Sequence, residues 1–241
     1  MASRMTSIAS IADAETENEG LPSASSPDLV VSAIIRGVQA GRLVPGQRLV
    51  EADLTRNLGV SRGPVREALK RLAAEGVVQL NRHRGAYVRA LTRSEVQDML
   101  SVLEVMTGFA ARLAAQAIGS GVGRSLFEPE FRRLMAFRNQ DDAIAFHDQR
   151  RAFYDALIAI GGNGELARLM PLMQIHLLRL QFQSYVTPVQ RRKQFEEYEA
   201  ISKAVLDGNP KLAERLMRLH IRRTRIVLSR LPEDAFAPAN L

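Results

Sequence analysis

The sequence predicts a mainly α protein in two parts: a small amino-terminal module of short helices closed by a β-hairpin, then an all-α antiparallel helical bundle. Three observations carry this. Apolar positions repeat at helical spacing over most of the 241 residues, in a chain dominated by Leu, Ala and Arg, with 5% aromatic residues and no Trp. Only the stretch from Val77 to Val88 holds β-prone runs, Val77-Val78-Gln79-Leu80 and Ala86-Tyr87-Val88, around the basic tip Asn81-Arg82-His83-Arg84-Gly85. Positive charge is concentrated early: eleven bases face five acids from Pro27 to Ala90, in a chain whose net charge is +7.

Length and composition exclude several classes. At 46% hydrophobic the chain can bury a core in each of two domains. The absence of cysteine removes disulfides, thiolate metal sites and cysteine nucleophiles, and suits the cytoplasm, the expected location. No apolar run reaches the roughly 18 residues of a membrane span. Residues 1–26 are Ala- and Ser-rich and net acidic, unlike a targeting peptide, and are expected to be a disordered tail.

The first helix is expected from Ser26-Pro27-Asp28, as N-cap, N1 proline and first-turn acid, through Val31, Ile34, Ile35 and Val38 to Gly41. After the Pro45-Gly46 turn, a short helix from about Glu51 to Leu58 carries Leu54 inward, and Gly59 supplies a tight turn. Ser61 then caps a helix with Val65, Ala68, Leu69 and Leu72 on one face and Arg62, Arg66 and Lys70 at i, i+4, i+8 on another. Its start is both basic and dipole-positive, the chemistry that meets phosphates and guanine edges. Two short helices joined through a glycine, followed by a hairpin, make a winged helix-turn-helix over 27–90 that reads double-stranded DNA. Ser61 and Gly63 stand where a hydroxyl, an amide and a missing side chain allow a phosphate close. The wing tip suits a minor groove.

Thr92-Arg93-Ser94-Glu95 is a capping box that opens the second domain, 91–232, with Val96, Leu100, Leu103, Ala110 and Leu113 near one stripe. Further helices are expected from about Glu128 to Arg138, Asp141 to Ile160, Glu165 to Tyr185, Pro188 to Leu206 and Pro210 to Leu231. Gly161-Gly162-Asn163-Gly164 and Asp207-Gly208-Asn209-Pro210 punctuate them, and 233–241 is expected as a carboxy-terminal tail.

The runs Gly41-x-Leu43-x-Pro45-Gly46-x-x-Leu49-x-Glu51-x-x-Leu54, Leu58-Gly59-Val60-Ser61-Arg62-x-Pro64-Val65-Arg66-Glu67-Ala68-Leu69-x-Arg71-Leu72, Glu75-Gly76 and Arg84-Gly85-x-x-Val88 resemble the GntR family of bacterial winged-helix transcription regulators. The helical half resembles the FCD effector domain of the FadR-type subfamily. The resemblance implies a homodimer on a short palindromic operator, with Arg62 and Arg66 on DNA and Arg84 and Gly85 at the minor groove. It also implies a ligand-responsive regulator, expected as a repressor, that performs no catalysis. A constitutive DNA-binding protein whose second domain only dimerises is the alternative. Pyridoxal-phosphate relatives of this broad family need a large α/β domain and a Schiff-base lysine, and this chain has neither.

Many FadR-type effector domains bind a divalent metal through an Asp and a His four residues apart and two further His. The positions matching them hold Arg150, Tyr154, Tyr198 and His220, so only His220 survives. A neutral phenol is a poor ligand and a fixed cation repels a metal, so no metal and no cofactor is expected. The other histidines offer no replacement: His147 lies about 10 Å before Tyr154 along a helix, His83 belongs to the wing and His176 has no evident partner. Arg150, Tyr154, Tyr198 and His220 are instead expected to hold a small carboxylate effector. Arg150 supplies charge and a planar fork; the other three supply donors. The competing arrangement has the tyrosines filling the space and Arg150 paired with an internal acid. Where many relatives present an arginine before a Leu-Glu pair, Leu100 stands before Leu103-Glu104, and Arg179 is a candidate from another helix.

Overall fold

The computed structural model describes residues 25–119, 121–140, 142–170 and 172–238; the expected amino-terminal tail lies outside them, apart from Ser25 and Ser26. The chain clusters into two units, one running through Ala90 and one from Leu91.

In the first unit α1 (Ser26–Gln39), α2 (Glu51–Leu58) and α3 (Arg62–Ala74) enclose Val30, Ile34, Val38, Leu54, Val65, Ala68, Leu69 and Leu72, all buried. Burying one of the valine, leucine or isoleucine side chains stabilises by about 1.5–3 kcal/mol, which outweighs the weak intrinsic helicity of pieces this short. The cap of α1 is Ser25, one residue earlier than expected, and its hydroxyl donates to Asp28 at 2.5 Å instead of accepting a backbone amide. Gly59, at φ 63°, closes α2 in the left-handed conformation that the tight turn demands.

The wing is a three-stranded antiparallel sheet, ordered β1-β3-β2, where a hairpin was expected. Strands β2 (Val78–Asn81) and β3 (Gly85–Val88) form the hairpin, with Asn81 opposite Gly85. The third strand, β1 (Arg48–Leu49), pairs Arg48 with Tyr87 and Leu49 with Ala86. Two residues are too few to show a period in sequence; burial of Leu49 and an otherwise unpaired β3 edge fix the strand.

The second unit is all helical in its described residues: α4 (Arg93–Ala117), α5 (Gly121–Ala136), α6 (Ala143–Gly161), α7 (Gly164–Leu169), α8 (Leu172–Phe182), α9 (Pro188–Leu206) and α10 (Pro210–Ser229). The Thr92 box is complete: Thr92 Oγ1 accepts from the Glu95 amide at 3.3 Å, and the Glu95 carboxylate accepts from the Thr92 amide at 2.8 Å. Asn163 and Asn209 cap α7 and α10 through their side-chain oxygens. Helix α5 starts seven residues before its expected start and carries Pro129 inside it, because fully buried Phe127 anchors the turn before the proline. The expected helix from Glu165 to Tyr185 is two helices, broken where Met170, ahead of Pro171, is extended at ψ 116°.

The carboxy-terminal segment is a packed clasp over its described residues, not a tail. Ala235 and Phe236 are buried, Phe236 lies 5.2 Å from the Phe182 ring, and the Arg93 guanidinium stands 4.3 Å above it. On α8, the Gln181 amide accepts from Leu91 N–H at 2.8 Å and donates to the carbonyls of Leu91 at 3.0 Å and Ala235 at 3.2 Å. Leu91 is the first residue of this unit, so the clasp ties down the start of the helical unit. Gln181→Leu is expected to cost about 1–3 kcal/mol, because three partly buried backbone groups lose their partners. Denaturant unfolding and faster hydrogen exchange at the Leu91 amide are the readouts; no change in either would show that the clasp contributes nothing.

Candidate DNA interface and effector site

Helix α3 presents the candidate DNA-reading residues. Ser61 is the N-cap by backbone geometry, but its hydroxyl makes no capping bond, which leaves it available to a phosphate. Arg62, Gly63, Arg66 and Lys70 are all exposed along the same helix. A Cβ built on Gly63 meets nothing within 4 Å, so packing does not require glycine there. Arg66 is engaged by Glu51 of α2, Nε to Oε2 at 2.9 Å, with the arginine 64% exposed. Such a surface pair is worth at most about 1 kcal/mol, and a phosphate or a guanine edge replaces it readily.

At the wing tip the Asn81 side chain accepts from the amides of His83 at 3.1 Å and Arg84 at 3.2 Å. This Asx turn leaves the side chains of Arg82, His83 and Arg84 in solvent. Gly85 sits at φ 92°, so glycine is required there by the backbone, and a Cβ on it would stand 3.9 Å from Arg48 Nη2. Arg48 is therefore a wing arginine that sequence reasoning missed. Its signal was the unrecognised strand β1.

The candidate effector residues converge in the second unit. Arg150 and Tyr154 of α6 and His220 of α10 line one small cavity of about 40 Å3, with Leu100, Leu103 and Thr107 of α4 and Arg179 of α8. A second space of about 70 Å3 shares Arg150 and Arg179 and is bordered by His147, Gln194 and Arg223. Tyr198 does not reach either surface: it is fully buried behind His220, ring centres 4.8 Å apart, and its hydroxyl has no partner. Arg150 has no ion pair among the described residues, and its buried Nε is unpartnered. The internal acid that would have neutralised it is thus absent from those residues. The side chain of His176 lies outside the described residues.

The donor role expected of His220 is corrected by its surroundings. Its Nδ1 lies 2.6 Å from Glu197 Oε2, and Arg223 donates twice to the same carboxylate at 2.5 and 2.7 Å. A carboxylate only accepts, so Nδ1 carries the proton and Nε2, buried and unpartnered, is an acceptor. Burial pushes the His220 pKa below its ordinary value despite Glu197, with the charges of Arg150 and Arg223 adding to the push. Burial also pushes the Glu197 carboxyl up, but hydrogen bonds from His220 and Arg223 hold it lower overall.

A depressed histidine pKa destabilises the folded state once the unfolded chain takes up the proton, so stability is expected to fall as pH drops below 6.5. The groups facing His220 are Glu197 and Tyr198 from α9, Arg150 and Tyr154 from α6, Arg179 from α8 and Arg223 on its own helix. His220→Gln should flatten this part of the melting-temperature profile between pH 7 and about pH 5.5. An unchanged slope would mean that other groups set it.

These residues do not fit a divalent metal. Burial raises the Tyr154 phenol well above its ordinary range, so it stays protonated, and Arg150 is a cation in the position of a ligand. Among the described residues no group of three His, Cys, Asp or Glu is placed to hold an ion. No helix among them is long and apolar enough to cross a membrane.

The family model for bacterial regulatory proteins of the gntR family matches residues 28–88, and that for the FCD domain matches residues 98–223. The chain belongs to the GntR family. This GntR-family regulator is 32% identical over 184 residues to an uncharacterized HTH-type transcriptional regulator in an unstable DNA locus of Streptomyces ambofaciens, covering 75% of each chain. It is 26% identical over 189 residues to a protein of Paenarthrobacter nicotinovorans named "Probable D-xylose utilization operon transcriptional repressor", covering 78% of this chain and 82% of the other. Its fold is shared with a GntR transcriptional regulator from Rhodococcus sp. RHA1, at TM-score 0.72 and 20% identity over 87% of this chain and 100% of that one. These relatives carry the names of transcriptional regulators, and the chain is a transcriptional regulator.

Proposed function

We propose that the chain is a repressor that binds a palindromic operator as a homodimer and responds to a small carboxylate-bearing effector held in its helical domain. The observation that carries the proposal is the exposed cationic face of α3, with Arg62, Arg66 and Lys70 on one line behind a free Ser61 hydroxyl. Arg62 and Arg66 read guanine edges, Lys70 and Ser61 hold phosphates, and Arg84 and Arg48 reach the minor groove from the wing. The name of the Paenarthrobacter relative supports repression.

For the dimer, α4 and α10 run antiparallel through Gln97 to Arg225, Glu104 to Arg222 and Arg112 to Glu214. These two helices leave Val102, Val105, Leu219 and Ile226 exposed, an apolar face suited to a second copy. Two recognition helices would then meet half-sites about one DNA turn apart. Helix α8 carries both Arg179 at the cavity and Gln181 on Leu91, the first residue of the helical unit.

The test is fluorescence anisotropy with duplexes from upstream of the neighbouring genes, against random competitor, with sedimentation to give the oligomeric state. A dimer with strong preference for one palindromic fragment is expected; a monomer without preference would overturn the proposal. The constitutive alternative predicts operator affinity that is blind to every added carboxylate.

A further inference from the structure

Arg150, Leu178, Arg179 and Thr224 line both cavities, and two of these four are guanidinium groups. Arg150 and Arg179 both line each space, and neither has a carboxylate within ion-pair distance among the described residues. Their neighbours are rings: Arg150 lies 5.3 Å from the Phe146 ring centre and 5.7 Å from that of Tyr198, and Arg179 lies 5.2 Å from that of Tyr154. An aromatic face attracts a cation but brings no counter-charge. Burial, reinforced by the charge on Arg150, lowers the Arg179 pKa to about 10, which still leaves it protonated at neutral pH. Asp155 is the acid that Arg179 senses; it makes no ion pair with it, and burial raises its own pKa. Two like charges held together in a low-dielectric interior repel each other until an anion stands between them.

The remaining wall has the opposite demand. With its Nδ1 proton committed to Glu197, His220 turns an unprotonated Nε2 toward the cavity, buried and without a partner. A ligand has to bring a hydrogen-bond donor to this atom. The two neighbouring guanidinium charges disfavour an ammonium group, so the donor is neutral, and a hydroxyl is the simplest neutral donor that a small carboxylate carries.

We infer that this site binds a small hydroxylated dicarboxylate without a metal, one carboxylate on Arg150, the other on Arg179, and the hydroxyl donating to His220 Nε2. This rests on the helical domain being an effector domain, and it adds Arg179, the double charge and the hydroxyl. The small volumes limit the ligand to a few carbons, with the guanidinium groups giving way as it enters.

The test uses the full-length chain in chelator-containing buffer with malate, succinate and propionate at about 10 mM, read as melting temperature and as operator affinity. Malate is expected to raise the melting temperature by about 4 °C, succinate less and propionate not measurably. Arg179→Met should raise the melting temperature of the free protein, since it removes one of two repelling charges, and abolish the response to malate. Arg179→Lys, which keeps the charge, guards against a folding failure and should retain a weaker response. His220→Phe should make malate and succinate equivalent.

A malate response that needs Arg150 but survives Arg179→Met overturns the two-cation site and leaves the effector domain standing. Equal responses to malate and succinate in the parent chain overturn the hydroxyl assignment. If none of the three acids moves either readout, the two-cation site falls; the effector role falls only if a wider panel of small carboxylates also leaves operator affinity unchanged.

Discussion

Replacing Arg62 and Arg66 together by alanine is expected to lower affinity for the operator by about a hundredfold or more, since each guanine-directed arginine is worth about 1–3 kcal/mol. The fold should be untouched. Both side chains are exposed, and the ion pair of Arg66 with Glu51 is a solvent-screened contact. Affinity for random duplex should fall much less, because the phosphate contacts of Lys70 and Ser61 and the wing's hold on the minor groove survive. Two further variants separate reading from attraction. Lys70→Ala should weaken all duplexes alike and reduce the salt slope by about one. Glu51→Gln frees Arg66 and removes an acid from the phosphate side, so it should tighten binding slightly. Operator affinity unchanged in the double variant would mean that α3 is not the reading helix.

The helix-turn-helix of this module was legible because the signals that set its helices are local. Ser61, Pro64 and Gly59 set the ends of α2 and α3, and the apolar face of α3 is the buried one. The partner of Arg66 was not legible, since Glu51 comes from another helix and the pairing depends on how α2 crosses α3. Strand β1 escaped for a related reason: it exists because β3 offers an edge, not because Arg48-Leu49 prefers to be extended.

In the helical domain, periodicity placed Arg150, Tyr154 and His220 on inward faces, and they do meet at one cavity. Tyr198 obeys the same period but stops one layer short, filled in behind the His220 ring. Chemistry at the cavity was harder to read than position. Whether His220 donates or accepts is decided by Glu197, a turn of α9 that no spacing rule ties to α10. Arg179 was a candidate only as an arginine from another helix, because α8 has no polar face whose period would aim it at the cavity.

Glu104→Ala is expected to destabilise the helical domain by about 2 kcal/mol, lowering its melting temperature by several degrees. Glu104 is a buried carboxylate on α4 that answers three arginines of α10: Arg222 Nη2 at 2.6 Å, and Arg218 and Arg225 at 3.8 Å each. Without it, three cations face one another beside Gly108, where the stem of Arg218 already packs so closely that a Cβ would meet it at 2.5 Å. The loss is smaller than for a fully enclosed ion pair because Arg222 is half exposed and can turn to water. The same helix lines the cavity through Leu100, Leu103 and Thr107, so the α4–α10 seam also sets the shape of the effector site. The hydrogen bond from Arg222 holds the Glu104 carboxyl below its ordinary range despite burial. A depressed carboxyl pKa stabilises above the unfolded value of about 4.3, and that contribution is lost as pH falls toward the folded value. The gap in stability between the parent chain and Glu104→Gln should therefore be widest near neutrality and shrink toward about pH 3. A gap that stays constant across that range would mean that the shape of Glu104, and not its charge, joins the two helices.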